Sequence, residues 1–488
     1  MSCVSAVEFN DTSDSLINSN EISDFHTLDG EIQNSNQTKE LRLTKDYCNY
    51  DGSYESGIPV TIDDLVIDGQ GHTIDANKKT RVFNIDAKNV VLKNIVIKNA
   101  YQDENGGAIY WQGLNGQIID STFKECNSTR SGGAVFFKNT ATVTNSIFEN
   151  NQAFFGGAVD LEDGGLISNS KFINNFATFL GGAVYCFELS TIEDSQFIHN
   201  TAGDGAGIYF FKRGMVKNTI FTKNYAIGYG GALTSEDLVD ISNSQFIDNY
   251  GKFAGAIYFK GPGLVEDSIF KNNNASIAGA IMASGDTVIN QSVFISNSAL
   301  NEGGAVMCDG RNINIISTEF SLNNAKTGNS LYISSNNVKI ENITFNNLVS
   351  SYETEIYMNS NNAVISNLSF NNVTLPVENT IPSKTNAPVS KNVNKIKTVI
   401  KVKSKTFRSS KKVKKYSVVL KTVNKKVIAK KKLKLKIRGK TYTAKTNSKG
   451  KAVFKIKLSK KGRFKTKITF AGDKKYKSSK KIITIKIK

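Results

Sequence analysis

Hydrophobic and polar positions repeat one phrase through most of this chain. The segment "NSKFINNFATFLGGAVY", residues 169 to 185, sets a Phe, a pair of asparagines and a Gly-Gly-Ala at fixed places, and close copies flank it on both sides. Aligned on the third residue of Gly-Gly-Ala, the copies fall at Ala108, Ala134, Ala158, Ala183, Gly207, Ala232, Ala256, Ala280, Ala305, Ser330 and Glu355, in steps of 24 to 26 residues. A second column keeps the same step: Phe123, Phe148, Phe172, Phe197, Phe221, Phe246, Phe270, Phe294, Phe320, Phe345 and Phe370. An asparagine stands three residues after the Phe at Asn151, Asn175, Asn200, Asn224, Asn249, Asn273, Asn297 and Asn323.

The short runs between Gly and Asn clusters alternate in polarity and have no helical period, so they read as strands. A unit of this length cannot bury its apolar face alone and must stack on its copies. The pattern predicts an all-β protein: a right-handed parallel β-helix with three strands per coil. About thirteen coils at about 4.8 Å each would make a rod roughly 60 Å long. The Phe column and the aliphatic residue after each Ala (Ile109 to Ile356) contain no polar member, so both face inward. The repeated asparagines suit a turn ladder, since Asn tolerates left-handed backbone and can bond its copy in the next coil. Gly-Gly provides a corner without a Cβ. Cys186 and Cys308 share an inward column five coils apart, too far to bridge, and read as small apolar fillers.

A less regular stretch, "GIPVTIDDLVIDGQGHTID", precedes the first Gly-Gly-Ala and reads as early coils. Paired GGA[ILV] and F-x-x-N motifs resemble the repeats of chlamydial polymorphic membrane proteins. Together with the phrase from Asp68 to Asp75, the arrangement resembles the adhesin-like surface proteins of gut methanogenic archaea. That resemblance implies a cell-surface β-helix joined to C-terminal Ig-like modules. Unlike the chlamydial proteins, the chain shows no C-terminal membrane barrel.

Charge divides the chain in two. From residue 391 onward there are 38 lysines and arginines and one acid, Asp473, whereas the preceding residues hold 24 basic and 42 acidic residues. Pro376, Pro382 and Pro388 cluster at the junction. The expected domains are 1–24, a leader remnant; 25–100, an N-terminal cap and early coils; 101–375, the repeated coils; 376–396, a linker; and 397–488, a lysine-rich module. Seven alternating runs in that module, from "TVIKVK" to "KIITIKIK", predict an Ig-like β-sandwich. Its charge points to an anionic polymer or cell wall as partner. No DNA- or RNA-reading motif accompanies it, and no apolar run is long enough to span a membrane. The small residues of "MSCVSAVEFN" resemble a signal-peptide cleavage site without the preceding apolar run. With eight N-x-[ST] sequons, this favours an exported, extracellular or surface location.

Candidate chemistry is sparse. His72, within "GQGHTID", and His199, at a turn, read as structural. Asp160, Glu162, Asp163, Glu188, Glu236 and Asp237 form one acidic face and read as solvated, since Glu162 and Glu236 lie three coils, about 14 Å, apart. One residue beyond the inward aliphatic, an outward column runs through Tyr185 and Tyr209. Two residues further lie Phe187 and Phe211. These four aromatics, beside Glu162 and Glu188, form an expected exposed ligand-binding patch. No catalytic residue, cofactor or metal site is expected. The sequence thus predicts a non-enzymatic surface adhesin whose side surface binds glycans or proteins of other cells. The alternatives are a polysaccharide lyase or hydrolase on the same β-helix, and a structural surface-layer protein.

Overall fold

The computed structural model describes residues 22–346, 355–371 and most of 398–488. The expected linker and nearly all of the expected leader lie outside the described residues. The chain divides into two compact units, one ending at Pro388 and the other beginning at Val389.

The first unit is a parallel β-helix. Three sheets of 14, 13 and 14 strands run along it, each strand paired with its equivalent one coil away. The first sheet begins at Glu40–Arg42, the second at Ile58–Val60 and the third at Tyr47–Cys48. Copies of the Phe column pair directly across the third sheet, and their rings stack from Phe123 to Phe370 with centroids 4.6 to 5.6 Å apart. The aliphatics from Ile109 onward line the opposite wall of the same core. Cys186 and Cys308 are buried free thiols in it. Burial raises the Cys186 thiol to about 12, which leaves it an inert filler.

The expectation of three strands per coil falls short. Nine coils carry a fourth strand between the F-x-x-N turn and the Gly-Gly corner, from Tyr101–Gln102 to Ser298–Glu302, forming a nine-stranded fourth sheet. Segments such as "QAFFG" and "FATFLG" lack clean alternation, so strand patterning does not separate them from the corner.

Two polar ladders stitch the turns. Each repeated asparagine is buried and donates through Nδ2 to the Oδ1 of its copy one coil on, at 2.9 to 3.0 Å, from Asn151 to Asn323. The same Oδ1 accepts a backbone N–H, and the second amide proton goes to a Phe carbonyl, as in Asn224 Nδ2 to Phe197 O. The left-handed backbone falls not on these residues but on the one before each, such as Asn150, Asn174 and His199. That placement frees the ladder side chain to point inward. A second, unexpected ladder runs through Ser121, Ser146, Ser170, Ser195 and Thr219, each backbone N–H bonding the next hydroxyl. At the corner, the first glycine takes a positive φ, as Gly181 does at 66°. A Cβ on the second, Gly157, would sit 2.1 Å from the next coil's carbonyl.

The upper end of the helix is closed by an α-helix, Phe25–Asn34, capped by Asp24 accepting from the Thr27 N–H at 2.8 Å. Phe25, Leu28 and Ile32 face the core, a spacing that gives a short helix one apolar stripe. In the early coils Asp68 and Asp75 are buried, held by Asn94 and Lys93 and by Asn99 and Lys98. His72 contacts Asp46 at 3.0 Å.

The second unit is a two-sheet sandwich with its own core around Tyr416, Leu433, Leu435, Phe454 and Ile468. A three-stranded sheet orders Thr398–Lys401, Lys414–Thr422 and Lys451–Ile456. A five-stranded sheet orders Lys405–Phe407, Ser479–Ile487, Gly462–Phe470, Lys432–Ile437 and Lys440–Lys445. The strand missing from the seven expected is Lys405–Phe407, which pairs parallel to Ser479–Ile487.

Candidate functional site

One outward column lies on the second sheet, and another follows just past the ends of its strands. In the first, Phe136, Asp160, Tyr185, Tyr209, Thr234 and Tyr258 stand opposite one another on successive coils. The second, two residues later in each coil, reads Glu162, Phe187, Phe211, Glu236 and Lys260. Their backbone N–H groups bond the coil before, which keeps them in register. The fourth sheet then folds a ledge beside the first column. Its last residues, Phe155, Leu180, Asp204 and Tyr229, precede each corner and pair along the coils through Phe155–Leu180 and Leu180–Asp204.

This ledge changes the expected aromatic patch. Tyr185 and Tyr209 do point away from the main core, but they are 9% and 6% exposed, packed with Leu180, Phe155 and Phe187 in a small cluster of their own. Phe155 lies 5.4 Å from Tyr185. Phe187 is half-buried and Phe211 is 38% exposed. Phe187 and Phe211 stack at 4.9 Å with planes 6° apart, and Tyr185 and Tyr209 stack at 5.8 Å. Rings stacked along the coil direction cover one another's faces, so ring edges meet solvent. Lys212 sits over the Phe211 ring at 5.7 Å. Glu162 and Glu188 are both half-buried.

The acids differ sharply among themselves. The expectation of a solvated acidic face fails at Asp160, which is 1% exposed. Burial drives its carboxyl well above the ordinary carboxylate range, although Ser131 hydrogen-bonds it, and the charge of Glu162 adds to the rise. Its Oδ1 has no hydrogen-bond partner. Burial of this kind disfavours the ionised form. Glu162, two residues on, is also raised by partial burial and then by the charge of Asp163. Asp160 lies within the strand Val159–Leu161, and Glu162 follows its end in the turn.

Glu236 is the opposite case. Tyr209 Oη donates to its Oε1 at 2.6 Å, and Lys260 Nζ lies 2.5 Å from its Oε2. One of its oxygens is thus engaged by a phenol and the other by an ammonium. Burial and this hydrogen bond push the Tyr209 phenol up, so it stays protonated. Asp204 on the ledge is raised by burial, although it accepts the Tyr229 N–H at 2.6 Å. Asp160, Glu162 and Asp204 are thus all raised by burial, while Glu236 is engaged by Tyr209 and Lys260. Sequence reasoning named Glu162, Tyr185 and Tyr209 among binding residues but gave Asp160 and Glu236 to solvent. Asp204 and Lys260 it did not single out, because the ledge that gathers them comes from a strand it did not resolve. Among the described residues, no group of three or more His, Cys, Asp or Glu is arranged to hold a metal ion.

No family model and no curated protein matches the chain. Among solved structures it is similar to a mannuronic-acid-specific polysaccharide family 6 lyase from the human gut microbiota, at 12% identity over 70% of this chain and 90% of that one, with a TM-score of 0.42. It is also similar to the A-module of a mannuronan C-5 epimerase of Azotobacter vinelandii, at 11% identity over 72% of this chain and 96% of that one, TM-score 0.36. An alginate lyase in complex with a trisaccharide follows at 12% identity, 72% and 84% coverage, TM-score 0.32. The expectation that the chain is not an enzyme is corrected here only so far as these similar structures are lyases and an epimerase; separately, the acid read as solvated, Asp160, is buried.

Proposed function

We propose that the chain is a polysaccharide-cleaving enzyme that holds its substrate along the corner between the ledge and the second sheet. Glu162 is the acid that meets the sugar, and Asp160 is the protonated group behind it. The observation that supports this reading is the buried carboxyl of Asp160, one oxygen of which has no hydrogen-bond partner. Such a group costs stability, and perturbed acids gathered in one groove are the mark of acid–base chemistry. Coils about 4.8 Å apart offer a linear glycan the same contact once per sugar, or nearly so. In the proposed step Glu162 gives its proton to the bridging oxygen as the glycosidic C–O bond breaks. Water adds hydroxyl to one fragment and returns a proton to Glu162.

Charge narrows the substrate. Glu162, Asp204 and Glu236 lie beside this corner, and Lys260 is already engaged by Glu236. A polymer of uronates would meet repulsion from the ionised members, so a neutral glycan fits better. Such polymers lie in cell walls or outside cells, and an extracellular or cell-surface location goes with the reading. Incubating the full chain with neutral glycans and with polyuronates tests it, by assay of new reducing ends and of unsaturated products. Reducing ends from a neutral glycan, lost in Glu162→Gln, are expected. Release from no polymer, or release untouched by Glu162→Gln and Asp160→Asn, would overturn it.

A further inference from the structure

The lysine-rich sandwich repeats an arrangement that sheets ordinarily avoid. In the five-stranded sheet Lys432 stands directly opposite Lys445, Lys436 opposite Lys467, and Arg463 opposite Lys486. Like charges at directly opposed positions destabilise a sheet. Alternation within each strand makes the cause plain: Leu433, Leu435 and Ile437 are buried, while Lys432, Lys434 and Lys436 are exposed on the other face. The acid of this region, Asp473, is paired with Lys431 at 2.5 Å. The outward face of this sheet is therefore a field of ammonium groups whose repulsion only an external anion relieves.

We infer that this face is a binding site for an acidic polysaccharide, a linear polymer bearing carboxylate or sulfate groups. Extended strands spread the lysines over a flat area, which suits a chain of regularly spaced anions rather than a single small one. Two features favour an acidic glycan over nucleic acid. The region from 391 onward carries 35 lysines and three arginines, and arginine is the residue suited to bidentate phosphate recognition. Among the described residues its exposed large apolar side chains are Val399, Val413, Val427, Val453 and Ile482, and Tyr442, Phe464 and Tyr476 are partly buried, so no fully exposed aromatic ring among them offers a base a stacking face. This site is independent of cleavage at Glu162, and either can fail without the other.

The test measures binding of the full chain to a polyuronate, a sulfated polysaccharide and single-stranded DNA of matched charge across a salt series. One variant carries Lys432→Gln, Lys434→Gln, Lys436→Gln and Lys467→Gln. A control carries Lys401→Gln, Lys421→Gln, Lys449→Gln and Lys451→Gln at the three-stranded sheet, none of them in an opposed lysine pair. The first variant should lose affinity for one or both acidic glycans by roughly tenfold or more, with a shallower salt dependence, and should melt no lower than the parent. The control should lose much less, and the two glycans identify which anion is preferred. Equal loss in both variants would overturn the site by reducing it to net charge. DNA bound tenfold tighter than either glycan would reassign it to nucleic acid, and no binding at physiological salt would also overturn it.

Discussion

Both units of the molecule set like beside like, with opposite results. In the β-helix, Phe stacks on Phe and Asn bonds Asn through many consecutive coils. In the sandwich, Lys faces Lys across paired strands. A neutral amide both donates and accepts, so each copy satisfies its neighbour, and an aromatic ring buries its face against the next. An ammonium only donates, so repetition accumulates repulsion. Repetition is thus a source of stability when the repeated group is self-complementary. When it is not, the repetition points to a partner outside the chain.

That comparison can be broken at several places. Phe221→Ala should have the largest effect, removing one ring from the stack beneath Phe197 and above Phe246; a loss of about 3–5 kcal/mol is expected in denaturant unfolding of the full chain. Asn224→Ala should cost about 2–4 kcal/mol, because it strips Asn200 of its acceptor and removes the amide donor to the Phe197 carbonyl. If either variant unfolds at the parent's midpoint, the columns are not what holds the coils together.

The pH response separates the functional acid from the scaffold. Because the folded-state pKa of Asp160 is raised, the folded form keeps a proton that the unfolded form sheds as pH climbs above the ordinary carboxylate range. Its contribution to stability is therefore most favourable at low pH and is lost between that range and the higher folded value. Asp160→Asn should flatten this slope, raising the melting temperature near neutral pH relative to the parent while lowering glycan cleavage. A parallel pH–melting curve for parent and variant would show that Asp160 carries no such proton. The smallest effect is expected at Lys445→Thr, which relieves one opposed pair and should add about 0.2–1 kcal/mol at low salt, shrinking as salt rises.

What could be read from the chain follows from how each feature is encoded. The β-helix was legible because Phe123 to Phe370 and Ile109 to Ile356 repeat without a polar exception, and burial at a fixed period fixes the fold. The sandwich was legible from strict alternation such as that around Leu433 and Leu435. Asp160 was not, because nothing local distinguishes it from Asp163: one is covered by a ledge built from Phe155 and its copies, the other is exposed. The same ledge buries Tyr185 and Tyr209, whose outward direction follows from the strand but whose covering does not. Exposure of an outward residue depends on the path of another segment, and that path carries no periodic signal of its own.

The asparagine ladder has a consequence for how such a protein can change over generations. Each rung presents the next coil with the same donors and acceptors, so Asn224 would find in Asn273 the partner it now has in Asn249. Whole coils can therefore be duplicated or lost without redesigning the joint. The scaffold is a modular length, free to drift by complete units. The corner from Asp160 to Lys260 is not, since its Tyr209–Glu236–Lys260 contacts join particular coils. A lineage of such chains should vary in coil number above and below that stretch, and hold it constant within.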